Sequence, residues 1–424
     1  MYYNEPAKKI PVVLETDVLV LGSGPAGFAA AVSAARNGAK TAIVEQTGSI
    51  GGIATAGLMS HWTGHVHSGL YEEILNRSSD NKLRNTINPE ILKEVMLNML
   101  IEENVTIKLY TLASEPILSG NEIKGVIVES KSGREAIMAK IVIDASGDGD
   151  IAARAGVPYI KGRETDNKMQ PMTMMFKIGG VDTEKAIFPG SFETNSDIPK
   201  GKVQDLAKEN IPFPAGHALM YQTTLPGIVT CNMTNCIDVD GTNADDLTKA
   251  EITCRSQIKP IMKFLREYVP GYENAFVISS ASLIGVRETR HFEGAETINE
   301  DDILKARVFD NWVVAGAYFN FDVHNISGAG LDKTGVQHHF KQDKGYTIPY
   351  GCLLPKKIDN LLLAGRNISG THMAHSNYRV MPICVGMGHA AGTAAAMSVK
   401  TKTGLRSLNV SEIQKILIEQ GVVL

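Results

Sequence analysis

Cysteine is scarce in this chain and long apolar runs are missing from it. Its five cysteines, an odd number in 424 residues, show no disulfide framework, which fits a reducing compartment. Cys231 and Cys236 have four residues between them, a spacing that redox pairs use, yet packed or exposed thiols are the default expectation for a pair lying mid-chain. No histidine joins them in a zinc pattern, and His61, His65 and His67 lack the carboxylate partners of a metal site, so no metal is expected. No apolar run approaches the roughly 18 residues of a spanning helix, and MYYNEPAKKIPVVLETD lacks the apolar core of a signal peptide. Net charge is −4 with both signs interspersed and no basic block, which argues against nucleic acid and anionic membrane as partners. The expectation is a cytoplasmic protein that handles a small molecule.

What is present is concentrated in Asp17 to Gly52. An apolar run, Val18 to Leu21, meets Gly22-Ser23-Gly24-Pro25-Ala26-Gly27, and alanines follow at 31, 34 and 35 before Gly38: strand, tight turn, helix. Gly22 permits the turn, Gly24 lets backbone approach a pyrophosphate, and Gly27 lets helix and strand pack closely. Pro25 and Ala26 open the helix, whose free N–H groups and positive end attract phosphates. A second strand, Thr41 to Val44, ends at Glu45 with Gln46 beside it, where the adenosine ribose hydroxyls of a dinucleotide are bound and a 2′-phosphate is disfavoured.

Composition, 43% hydrophobic and 21% charged, suits a globular chain of two or three domains. Residues 72–75 and 89–102 read as helices. From Val105 the segments VTIKLYTL, EPILSGNEIKGVIVES and KSGREAIMAKIVID read as a three-stranded β-meander returning to a parallel sheet, which places Ser146 and Gly147 at the ligand-binding edge. Residues 155–345 have a different texture, with a strand at Thr173 to Ile178, a helix from Asp245 to Tyr268 before Val269-Pro270-Gly271, and a strand at Ala275 to Ser282. The nucleotide fold resumes at Asn360 to Ala364, followed by Gly365-Arg366-Asn367 and a helix at Val385 to Met397. Gly386, Gly388 and Gly392 on that helix would let a flavin ring approach, and the positive end of the helix would face the charge of reduction.

The segments DVLVLGSGPAGFAAA, VEQTGSIGG, VIDASGDGDIAARAG, GVRETRHFEG, YTIPYGCLLPKKIDNLLLAGRNISGTHMAHSNYRVMP and GMGHAAGTAAA together resemble the FAD-dependent oxidoreductase family of the glutathione-reductase-like flavoprotein clan, distantly related to fumarate reductase flavoproteins. The resemblance implies bound FAD and an α/β fold: a Rossmann-like FAD-binding domain, residues 1–160 and 341–424, plus an inserted α+β substrate or cap domain, residues 161–340. It implies that Gly22, Gly24, Gly27 and Glu45 hold the ADP half, Gly51, Gly52 and Thr55 the pyrophosphate or flavin edge, and Gly365 and Arg366 the ribityl and pyrophosphate groups. Gly351-Cys352 departs from the Arg-Ser often seen in relatives, and His291 stands where an Arg is usual.

For chemistry the candidates are Arg287, Arg290, His324, His372, His375 and Arg379, with Asp322. A hydride moves between flavin N5 and a substrate carbon, an acid or base handles the proton, and a cation holds a carboxylate. The expected function is an FAD-dependent oxidoreductase acting on a small polar or anionic substrate; a redox-neutral lyase, hydratase or isomerase, or a monooxygenase, is the alternative. Arg287 and Arg290 could instead pair with Glu288 and Glu293 as a surface or interdomain element, and Asp322 and His324 could simply satisfy one another. Tandem His338-His339 beside Lys341 reads as an exposed loop. No second GxGxxG is present, so electrons come from the substrate, a diffusible NAD(P)H or another carrier; oligomeric state is open.

Overall fold

The computed structural model describes residues 1–79, 83–334 and 344–424. His338, His339, Lys341 and the expected boundary at 340/341 lie outside the described residues. Seven strands form the main sheet: β1 (Val12–Leu21), β2 (Thr41–Val44), β3 (Thr106–Lys108), β4 (Leu112–Ser119), β5 (Glu122–Ser130), β6 (Gly133–Asp144) and β7 (Leu361–Leu363), in the order β3-β2-β1-β6-β5-β4 with β7 also on β6. Strands β3, β2, β1, β6 and β7 are parallel, and β4 and β5 are antiparallel additions. Val18 to Leu21 and all of β2 are buried, as a sheet covered on both faces requires. β6 serves two partners on one edge, since Gly133 to Met138 pair with β5 whereas Val142 to Asp144 pair with β7.

One expectation is corrected here. VTIKLYTL does not supply a strand of the meander: its Thr106–Lys108 is a parallel edge strand on β2, only its last residue, Leu112, begins β4, and the antiparallel trio is β4-β5-β6. Strand propensity is the same either way, and only the distant partner decides.

A second apolar core lies under a four-stranded antiparallel sheet, ordered Met220–Gln222, Val229–Cys231, Phe176–Gly179 and Phe276–Ser280. Helix α2 (Ala244–Tyr268) covers it through Ile261, Phe264 and Leu265. The Asn243 side chain caps α2 by accepting from the N–H groups of Asp245 and Asp246, and the helix stops before Pro270. Phe292, Trp312, Val314 and Phe321 pack instead into the main core, where strand Trp312–Tyr318 pairs with His65–His67 and Tyr346–Pro349.

After β7 come α3 (His372–Tyr378) and α4 (Met381–Thr401). α4 is buried along almost its whole length against α1 (Pro25–Arg36), and the small residues of both helices make that possible. A Cβ on Gly388 would lie 2.0 Å from the Ala26 carbonyl oxygen, and one on Gly392 would lie 2.3 Å from that of Ala30. On Gly386 it would meet Val66 and Val314. These glycines therefore admit neighbouring protein elements, which corrects the expectation that Gly386 and Gly388 make room for a flavin. Ser33 fastens the pair by donating to the His389 carbonyl oxygen at 2.9 Å. Among the described residues no single helix is long and apolar enough to cross a membrane; α3 and α4 pass that test only together, across a 93° bend.

Candidate functional site

Three turns meet at the carboxyl edge of the parallel strands. The first, Gly22 to Gly27, follows β1. Gly22 has φ +85°, and a Cβ there would lie 2.6 Å from the Ala145 carbonyl oxygen; a Cβ on Gly27 would lie 1.9 Å from that of Gly22. Gly24 differs, because nothing lies within 4 Å of where its Cβ would be. Pro25 occupies the first turn of α1, and no side chain caps that helix end. Gly52 packs against Gly24, while the Gly51 N–H donates to the Ser23 carbonyl. An open cradle at an uncapped helix N-terminus fits a pyrophosphate.

The second turn follows β6. Ser146 does not offer its hydroxyl to a ligand: Oγ donates to Asp144 at 2.7 Å and accepts from the N–H groups of Gly149 and Asp150. Burial pushes the Asp144 carboxyl up, partly offset by Ser146 and the Ala152 N–H. Gly147 lies beneath the guanidinium of Arg366, which belongs to the third turn after β7 and pairs with Asp148 at 2.7 Å. Gly365, with φ +107°, sits over Ala26. Among the described residues Arg366 Nε and Asn367 Oδ1 are buried without a hydrogen-bond partner, which suits groups that could bond a cofactor. Glu45 ends β2 as expected, but its carboxylate accepts from Ser23 N, Ser23 Oγ and Thr47 N, with Gln46 exposed beside it. Thr55 is wholly buried and its hydroxyl donates to the Ile50 carbonyl, so it supports the Gly51 turn from behind.

The expected catalytic residues fall into three places. Arg290 joins the second turn, donating to the Asp148 carbonyl at 2.8 Å and pairing with Asp150 at 2.9 Å, apart from the other candidates. Arg287, His324 and Arg379 assemble with Asp322 in a partly open cluster. Arg379 pairs with Asp322 at 2.9 Å, and His324 Nε2 lies 3.3 Å from the same carboxylate oxygen. Arg287 donates to neutral oxygens, the Pro171 carbonyl at 2.6 Å and Thr173 Oγ1 at 2.7 Å. Burial and neighbouring Arg379 push Arg287 down to about 10, so it stays charged at neutral pH. Burial opposes ionisation of Asp322, yet His324, Arg379 and Arg287 hold its carboxyl below the usual range. Burial and Arg287 lower His324 to about 4, and burial lowers His217 to about 3, so both imidazoles are neutral.

His372 and His375 turn to a closed cluster built on Glu288, which is 1% exposed. Glu288 Oε1 accepts from His291 Nε2 at 2.8 Å and His372 Nδ1 at 2.6 Å, and Oε2 accepts from the Gln170 N–H at 3.0 Å. His375 Nδ1 stands 4.0 Å from Oε1, with its ring edge-on to His291 at 4.6 Å between centroids. Burial opposes charge on Glu288, but His291 and His372 hold it well below the carboxylate range; burial opposes charge on His372, and Glu288 raises it nonetheless. Burial and His291 keep His375 neutral. Gln170 joins the clusters, since its Oε1 also accepts from the His324 N–H at 3.0 Å. Sequence reasoning missed Glu288 as an organiser and missed Gln170. The available signal was the paired three-residue spacing of Glu288 with His291 and of His372 with His375.

Comparison with known proteins fits this arrangement. The profile of the family described as FAD dependent oxidoreductase matches residues 17–417. A curated relative, digeranylgeranylglycerophospholipid reductase 3 of Methanosphaera stadtmanae, is 31% identical over 164 residues, which cover 33% of this chain and 41% of that protein. The chain thus aligns with less than half the length of that relative. Among solved structures, the geranylgeranyl bacteriochlorophyll reductase-like protein of Thermoplasma acidophilum superposes with a TM-score of 0.52 at 11% identity, covering 96% of this chain and 84% of that one, a likeness of fold. The p-nitrophenol 4-monooxygenase of Pseudomonas putida gives 0.47 at 10% identity, over 96% and 85%. With cofactor turns at the sheet edge and a family match from end to end, this chain belongs to the FAD-dependent oxidoreductase family.

Proposed function

We propose that this enzyme transfers a hydride between FAD and a small carboxylate-bearing substrate held in the Arg287, Asp322, His324 and Arg379 cluster. Bound FAD supplies a hydride donor and acceptor at N5. In this reading the Gly22 to Gly27 turn, Gly365 and Arg366 hold its pyrophosphate. Residues 1–160 and 341–424 serve the cofactor, except that Arg379 reaches the substrate cluster, and 161–340 serve the substrate, apart from the stretch around Phe292 to Phe321 that packs into the main core.

The observation that carries the reading is a charge imbalance. Arg379 is matched by Asp322, whereas Arg287 makes no ion pair among the described residues. A cation taken partly out of water calls for an anion, and a substrate carboxylate supplies one. Asp322 orients neutral His324, which accepts the proton that accompanies hydride transfer, and the carboxylate then stabilises the imidazolium. Tyr221, stacked on His61 at 5.0 Å, forms an aromatic wall nearby. A prenyl chain, the substrate type named for the archaeal relative, would need an apolar tunnel in place of these charges. Electrons come from the substrate or from a diffusible nicotinamide.

The test is an anaerobic titration of the holoenzyme flavin band with small 2-hydroxy and saturated carboxylates, their neutral amides, and NADH or NADPH. Carboxylates are expected to bleach or shift the band and amides to leave it unchanged, with the response lost in Arg287→Met. Equal responses to acid and amide would overturn the reading.

A further inference from the structure

We propose that Glu288, His291 and His375 form a binding site for one divalent transition-metal ion, with His372 beside it as a fourth donor. One ligand atom from each of the first three lies within 4.8 Å of the others, and all three residues are buried. The donor set is one carboxylate and imidazole nitrogens, the mixture that suits zinc, iron, manganese or cobalt over magnesium or calcium.

Two observations separate this site from an ordinary buried hydrogen-bond network. First, His375 Nδ1, the atom that faces Glu288 Oε1, is buried without a hydrogen-bond partner among the described residues, in a side chain only 1% exposed. A closed network would satisfy this atom, whereas a metal site uses it as a donor. Second, the spacings are close to those a metal imposes. Donors bound at roughly 2.0–2.2 Å lie about 3–3.5 Å from one another. Here His291 Nε2 is 2.8 Å and His375 Nδ1 4.0 Å from Glu288 Oε1, and the donor atoms all lie within 4.8 Å of one another, so side-chain adjustments on the order of 1 Å bring them to metal spacing. The supporting shell is present too, because the Gln170 N–H fixes the far carboxylate oxygen at 3.0 Å. The ion would tie strand Arg290–Phe292, through His291, to α3, through His375. This inference does not rest on the carboxylate-substrate reading and survives its failure.

The experiment is equilibrium dialysis of chelator-treated holoenzyme against Zn²⁺ or Mn²⁺ alone, read as metal per chain by mass spectrometry. One ion per chain is expected in the wild type. His375→Ala and His291→Ala should each weaken retention at least about tenfold while flavin content, which reports folding, stays unchanged. If either alanine variant loses its flavin, Glu288→Gln, which keeps shape and removes the charge, is the substitute. Wild-type retention no greater than that of the His291→Ala, His375→Ala double variant, or of Glu288→Gln, would overturn the proposal.

Discussion

Replacing Gly24 by valine separates cofactor binding from folding in one substitution. The backbone at Gly24 has φ −59° and ψ 178°, which any residue adopts, and no protein atom lies within 4 Å of the added Cβ. Valine is a poorer helix cap than glycine, at a cost to the apoprotein of up to about 1 kcal/mol. The side chain fills the cradle that fits a pyrophosphate, and overpacking of about 1–3 kcal/mol there weakens FAD about 5- to 150-fold. Gly27→Val is the control from the same motif. Its Cβ would lie 1.9 Å from the Gly22 carbonyl oxygen, so it should destabilise the apoprotein itself by about 3 kcal/mol or more. The assay pairs fluorescence titration of apoprotein with FAD and urea unfolding of the same samples. Wild-type FAD affinity in Gly24→Val, or a stability loss matching that of Gly27→Val, would refute the assignment of the open space to the pyrophosphate.

Gly388→Ala should lower stability by about 1–3 kcal/mol, because its methyl group runs into the Ala26 carbonyl; unchanged unfolding with lost flavin would restore the flavin-approach role. The Arg287→Met variant should keep FAD and lose its spectral response to carboxylates, as measured by the anaerobic titration. His389, held between Ser68 and Gln420, has its folded value lowered from 6.5 to about 4 by burial. The unfolded chain therefore binds a proton that the folded chain refuses, so its stabilising effect is full above pH 6.5 and is lost as pH falls toward 4. Urea unfolding across that range should show a slope in His389→Gln shallower by up to about 1.4 kcal/mol per pH unit, and an unchanged slope would count against the shift.

The βαβ unit was legible because everything that defines it is local: a buried apolar run, a glycine turn, a small-residue helix, an acid after the second strand. What each glycine is for was less legible. Gly24 and Gly388 are the same residue type in similar small-residue company, yet one faces open space and the other a carbonyl, a distinction set by elements hundreds of residues apart. Thr106–Lys108 was misplaced for the same reason, since parallel pairing leaves no hairpin turn in the sequence. Glu288 looked like an ion-pair partner for its arginine neighbours. Only the folded chain brings His372 and His375 from a distant segment to join His291 around it, with Arg287 and Arg290 turned elsewhere.

The contact between α1 and α4 also imposes an order of events during synthesis. The nucleotide turn is made within the first thirty residues, but Ala26 and Ala30, on its helix, are covered by Gly388 and Gly392. A nascent chain that has emerged only through the second core carries α1 with this face bare and the parallel sheet lacking β7. The helix that is made first therefore completes its packing only with one of the last helices to be made, and a chain truncated before residue 361 leaves this small-residue face of α1 uncovered.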